Sequence, residues 1–186
     1  MGTTTTTLPA GLTTGTYTID ASHSEVGFTA RHAMVAKVRG RFGAVSGSLV
    51  FGDEAASSSA EAVIDTASID TRDEGRDTHL RSANFFDVEK YPTMTFRSTG
   101  VRADGGDYRL DGDLTIKDVT RPVNIKVEFN GAATDPFGNA RIGFSGETEI
   151  NRKDFGLTWN AALETGGVLV SDKIKIHLEI SAIAQA

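Results

Sequence analysis

Four histidines, a run of aspartates between residues 65 and 87 and two groups of basic residues are the side chains with which this sequence could do chemistry. His23, His32, His79 and His177 never pair at the i,i+4 spacing of a helical zinc site, so a metal centre would have to be assembled by the fold. There is no cysteine, which removes disulfides, thiolate metal sites and a thiol nucleophile. Asp65, Asp70, Asp73, Asp77 and Asp87 show no spacing that dictates a general acid/base pair. Walker-type and Gly-x-Gly-x-x-Gly loops are missing, and Gly143-Phe144-Ser145-Gly146 does not have the spacing of a nucleophile elbow.

Among the histidines, His177 has the polar phase of its segment and is expected at solvent. His32 shares the phase of Val26, Phe28 and Ala30 and is expected to point inward, either as a polar contact for a ligand head group or bonded to a backbone carbonyl. Lys37, Arg39 and Arg41 lie on the outer phase of one segment, and Arg72, Arg76 and Arg81 crowd another. Either set reads as a solvated face or as an attraction for an anionic head group.

The elements that must position these side chains are strands. From Tyr17 onward apolar and polar residues alternate, as a strand with one buried face requires. Residues 173–180 alternate four aliphatics with four polar groups, and residues 123–129 follow the same rule. Further strands are expected at 25–33, 38–51, 60–67, 94–101, 108–117 and 141–150, making eight or nine, with turns at 104–107 and 135–139. Residues 71–90 lose the alternation and are expected to hold one or two short helices, with Ser82 an N-cap before Phe85 and Phe86.

Many antiparallel strands with one apolar face form a barrel or a sandwich. Ala30, Gly40, Gly47, Gly112 and Gly146 fall on the inward phase and favour a barrel. These small residues leave an elongated apolar cavity, or mark bulges and sharp coiling; both readings stand.

The chain has 186 residues, 39% hydrophobic and 24% charged, which suits one globular domain. No apolar run approaches the roughly 20 residues of a membrane-spanning helix. Its 25 acidic against 19 basic residues give a net charge of -6, which opposes a nucleic-acid partner. Residues 1–15 contain five consecutive threonines and neither a basic residue nor an apolar core, so they are expected to be a flexible lead rather than a secretory signal. A cytoplasmic chain with one domain over residues 16–186 is the corresponding expectation.

Over residues 17–182 the sequence resembles the YceI-like family of polyisoprenoid- and lipid-binding proteins. The resemblance rests on Tyr17-Thr18-Ile19-Asp20 with His23-Ser24, on Phe28 with His32, and on Val38-Arg39-Gly40-Arg41-Phe42. It continues through Arg76-Asp77-Thr78-His79-Leu80-Arg81-Ser82, Phe85-Phe86-Asp87 and Tyr91-Pro92. Leu110-Asp111-Gly112-Asp113-Leu114, Thr120-Arg121-Pro122-Val123, Asn151-Arg152-Lys153-Asp154-Phe155-Gly156 and Val170-Ser171-Asp172-Lys173-Ile174 complete it.

That resemblance implies an all-β fold, an extended eight-stranded antiparallel lipocalin-like barrel with a short helical insertion. It implies an isoprenoid chain, such as a quinone tail or polyprenyl phosphate, held inside without catalysis or a cofactor. Dimers are common in the family, so a homodimer is a further implication. Phase and resemblance together nominate Phe28, Phe42, Leu49, Phe51 and Phe96 as apolar lining. Leu114, Ile116, Phe129, Phe144 and Trp159 join them, with Phe85 and Phe86 at the mouth and His32 as the polar contact. Two other readings stay open: an enzyme acting on a lipid in the barrel with His32 as its titrating group, or an interaction module with a filled barrel.

Burial of an alkyl chain contributes about 0.8 kcal/mol per CH₂ before binding costs. At about 0.3 kcal/mol per heavy atom, a forty-carbon tail would reach about 12 kcal/mol with little head-group selectivity. Strands of about nine residues tilted near 40° make a barrel about 23 Å tall, so affinity is expected to rise with tail length and then level off.

Overall fold

The computed structural model describes residues 7–164 and 166–185. Its strands are β1 (Gly15–Ile19), β2 (Glu25–His32), β3 (Ala36–Phe42), β4 (Val45–Phe51), β5 (Ser59–Asp65), β6 (Ile69–Asp70), β7 (Thr93–Asp104), β8 (Asp107–Ile116), β9 (Val119–Thr134), β10 (Ala140–Asn151) and β11 (Lys173–Ala184). One α-helix, α1 (Glu74–Arg81), lies between β6 and β7. Because β1 pairs with β4 and β2 with β3, the first four strands are two long ones, each interrupted once. β11 pairs with β10 along one edge and with both β1 and β2 along the other, closing an eight-stranded antiparallel barrel. At the break between β1 and β2 the Ser24 hydroxyl donates to the Ser181 carbonyl (3.1 Å) and accepts from its amide (3.0 Å), replacing the missing ladder pair.

The solid core is split between the two ends of the barrel. At one end Ile64, Ile69, Met94, Ile116, Phe155 and Leu157 pack with Phe85 from the segment after α1. At the other, Leu12, Tyr17, Ile142 and Ala182 form a second cluster, with Phe51, Phe129 and Phe144 against it.

One local expectation changes. Residues 71–90 hold one short helix, within the one or two expected, but Ser82 is not its N-cap. Asp73 takes that role, its carboxylate accepting from the Arg76 amide, while Ser82 closes the C-terminal end by donating to the His79 carbonyl at 2.6 Å. Phe85 and Phe86 follow in turns. Of the expected lead, residues 1–6 lie outside the described residues, and residues 7–15 run against the barrel end. Thr7 bridges to Glu54, and Leu12 is 8% exposed beneath the barrel end. Leu8 and Leu12, the two leucines of a threonine-rich stretch, supply the apolar area that keeps it in place.

Outside the wall, Asp20 of the Tyr17-Thr18-Ile19-Asp20 stretch is a structural staple. Arg141 reaches Asp20 and Asp135 at 2.7 Å each, joining the β1–β2 break to the β9–β10 turn. The Arg141 hydrogen bond, helped by Ser22 and His23, holds the Asp20 carboxyl well below the usual carboxylate range. The Asn139 amide and then Arg141 do the same for Asp135. The Arg141 guanidinium is in turn raised by the two carboxylates, Asp20 first.

Two stability outcomes follow from these contacts. Leu12→Ala should cost about 2 kcal/mol and lower Tm by about 4–8 °C in a thermal melt, where a free lead would leave Tm unchanged. Arg141→Gln should lower Tm by a few degrees at neutral pH. Since both folded carboxyls titrate below their unfolded values, the stabilisation is present above about pH 4 and fades as pH falls through the folded values. The Tm gap between parent and variant should therefore narrow in acid.

Candidate functional site

Between the two end clusters the barrel is hollow. Along the inner wall Val26, Phe28, Leu49, Leu114, Ile176 and Leu178 are only half-buried, although they point away from bulk solvent. An inward residue keeps accessible area only if the space before it is unfilled, so this pattern marks a lumen rather than a packed core. The lumen has two lobes that share Leu49, Ala60, Leu110, Leu178 and Ile180 as walls. The larger, about 230 Å³, lies toward the helical end; the smaller, about 120 Å³, is floored by Leu8, Pro9 and Leu12 of the lead. An engineered apolar cavity of about 150 Å³ stays dry and takes benzene, so both lobes together hold on the order of 14 carbon atoms.

Most of the nominated residues meet at this lumen. Phe28, Phe42, Leu49, Phe96, Leu114 and Ile116 line the large lobe, with Phe85 and Phe86 closing it. Phe51 and Phe144 border the small one, stacked at 6.0 Å between ring centroids. Three residues are not lining. Phe129 packs behind Phe144 at 5.2 Å, in the second cluster. Trp159 lies outside the large lobe, edge-on to His79 (4.6 Å) and tilted against Phe85 (5.4 Å), where it braces the end closure. His32 is exposed and borders neither lobe, because its inward phase falls on the last residue of β2, beyond the walled part of the barrel.

The glycines act differently from the expected gaps. A Cβ at Gly40 would meet the tip of the Phe28 ring, and one at Gly112 the ring of Phe96. Each glycine thus lets an aromatic ring lie along the wall instead of across the bore. At Gly47, with φ of 148°, a Cβ would overlap the backbone of Glu61, so that glycine serves close strand approach. Ala30 and Gly146 border the lumen directly.

Sequence reasoning passed over two contributors. The aliphatic ladder Ile174, Ile176, Leu178 and Ile180 was visible in the alternation of residues 173–180, and all four line the large lobe. Arg152 also borders it, yet nothing in a charged tetrapeptide announces a side chain only 3% exposed. Its guanidinium donates to the carbonyls of Leu157 (2.6 Å), Trp159 (2.9 Å) and Ser171 (2.9 Å), pinning the segment between β10 and β11 over the barrel end. Burial lowers its pKa and Asp172 at 3.7 Å opposes that shift. With most of its protons turned to backbone oxygens, Arg152 offers the lumen few free donors.

This arrangement can exclude water and hold hydrocarbon. No histidine borders either lobe, and among the described residues no cluster of three or more His, Cys, Asp or Glu side chains could hold a metal ion. Nor is any helix among them long and apolar enough to cross a membrane.

Gly40→Ala should swing the Phe28 ring into the large lobe and cost about 1–3 kcal/mol of stability. It should weaken binding of a small apolar fluorescent probe by about tenfold, with recovery in Gly40→Ala/Phe28→Ala; unchanged binding in the single variant would place the ring elsewhere.

Residues 17–182 match the family model described as the YceI-like domain. UPF0312 protein VPA0850 of Vibrio parahaemolyticus is 40% identical over 153 residues, 80% of each chain. Among solved structures, Burkholderia cenocepacia BcnA superposes with a TM-score of 0.76 at 27% identity, covering 88% of this chain and 98% of its own. A polyisoprenoid binding domain from Saccharophagus degradans, implicated in plant cell wall breakdown, shares the fold with a TM-score of 0.70 at 19% identity, over 91% and 98% of the two chains.

Proposed function

Given that this chain belongs to the YceI-like family, we propose that its lumen binds the hydrocarbon tail of an isoprenoid lipid, as a carrier or store that performs no chemistry on it. The observation that carries this reading is the half-exposed apolar inner wall: side chains folded inward yet only partly covered by their neighbours. The barrel of the same fold described as polyisoprenoid binding is consistent with it.

The volume sets the scale. Fourteen or so sheltered carbons correspond to about three isoprene units, well short of a forty-carbon tail. Net gain then falls between about 4 kcal/mol, at the efficiency of large ligands, and about 11 kcal/mol, at the full transfer value per CH₂. The remainder of a longer tail, and the head group, would lie outside the closed lumen. Because the guanidinium at the large lobe has most of its donors committed to backbone carbonyls, a quinone and a polyprenyl phosphate of equal tail length should bind within about tenfold of each other, a difference of about 1.4 kcal/mol.

Trp159 is the single tryptophan and touches the end closure through Phe85, so its fluorescence reports occupancy. Titration with prenyl alcohols of increasing length should show affinity rising up to about three isoprene units and flat thereafter. Organic extraction of the purified protein followed by mass spectrometry should release a long-chain lipid approaching one per chain. Affinity that ignores tail length, in a protein that extracts empty, would remove the basis for this function.

A further inference from the structure

The hairpin between β2 and β3 turns through Ala33 and Met34, with φ of 51° and 61° and the Val35 amide donating to the His32 carbonyl at 3.2 Å. Both central residues are left-handed, a conformation that Asn-Gly adopts at far lower cost. The chain instead holds an apolar pair in the open, Met34 at 60% exposure and Val35 at 84%. The segment before β11 packs alongside: the Ala33 amide donates to Leu169, the Ser171 amide to Arg31, and Met34 sulfur rests on Gly167. Val168, itself 40% exposed, extends the apolar tip. Single exposed apolar residues are ordinary, but a contiguous projecting set marks an interaction surface.

Beneath the tip is a collar of cations. Arg31 and Lys37 face each other across the two strands in register, and Arg39 occupies the next outward position opposite Thr29. Like charges directly opposite destabilise a strand pair. In a chain of net charge -6, Arg97, Arg102, Arg109 and Arg141 all have carboxylate partners. Among the described residues no carboxylate lies within 4.0 Å of Arg31, Lys37 or Arg39.

We propose that this end of the barrel docks on an anionic lipid bilayer, with Met34, Val35 and Val168 entering the acyl boundary and Arg31, Lys37 and Arg39 at the level of the lipid phosphates. A soluble polyanion would answer the cations and leave Val35 in water. A second copy of this chain meeting the same patch about a two-fold axis would set cation against cation. An apolar tip ringed by cations fits an anionic membrane surface on both counts. Ala30 and Val170, which border the large lobe, lie just behind the tip, so docking would bring the lumen's closed end to the lipid.

Flotation with phosphatidylcholine vesicles containing about a third phosphatidylglycerol tests the surface without reference to what the lumen holds. The parent should float with these vesicles and not with phosphatidylcholine alone, and should release at about 1 M salt, where screening reaches about 3 Å. Arg31→Gln/Lys37→Gln should weaken binding about 25-fold, at about fivefold per cation. Val35→Asp should weaken it by at least about tenfold. Phe137→Asp, at an 88% exposed position in the β9–β10 turn at the opposite end, should leave binding unchanged. All four positions are exposed, and a thermal melt of each variant checks its fold. Equal flotation with neutral vesicles, or full binding by Val35→Asp, overturns the proposal. So does dimerisation that Val35→Asp disrupts in a protein that does not float. Loss of flotation with an intact tail-length titration would reject the docking surface alone; the converse would reject the lumen alone.

Discussion

A wall of paired strands that closes on itself is the constraint from which the rest follows. Side chains before an unfilled lumen lose the dispersion contacts that a packed core supplies. Stability has to come from elsewhere, and in this protein it comes from the ladder and from the two ends. β11 joins β10 to both β1 and β2, so the barrel has no long open edge through its middle. The end clusters, one around Ile69 and Phe155 and the other around Tyr17 and Ala182, supply the dense packing that the centre lacks. A barrel built this way can leave its midsection empty.

The two closures differ in kind. Leu8, Pro9 and Leu12 floor the small lobe from a segment that precedes the family-matched residues 17–182. The other end is closed by the turns after α1 and by the segment ahead of β11, which meet where His79, Phe85 and Trp159 touch. Arg152 holds the second of these through backbone carbonyls rather than through a side-chain partner. A guanidinium can be kept this deep because its donors are matched to oxygens and Asp172 sits nearby. The guanidinium at the lumen is therefore part of its architecture, its donors committed to backbone oxygens rather than to a ligand.

Glycine at the inner wall illustrates how composition can be right for a different reason. Small inward residues do accompany a lumen, but Gly40 and Gly112 create it indirectly, by giving Phe28 and Phe96 a place to lie flat. The same aromatic count with alanine at those positions would direct the rings across the bore. The basic residues divide likewise. Arg76 and Arg81 are spent on Thr71, Ala67 and Ile69 within the helical closure, while Arg31, Lys37 and Arg39 face outward.

Period-two alternation was enough to read most of the strands and their apolar face, and turn residues to read the turns at 104–107 and 135–139, because each is settled by residues close together along the chain. The alternation ran β3 and β4 together as 38–51 and passed over β1. The aliphatic ladder of residues 173–180 was as legible, and every inward member of it borders the lumen. Where the walled part of the barrel ends was not legible, and so His32, correct in phase, stands outside. Leu12 reads as loose chain until the distant Ile142 and Ala182 give it a surface to cover. Ser82 reads as a helix start until Asp73 takes that position, and Arg152 as one more surface charge until three carbonyls surround it. Alternation sets which way a side chain points. What it meets there depends on strands far apart in sequence, and that contact decides whether it becomes wall, plug or exposed surface.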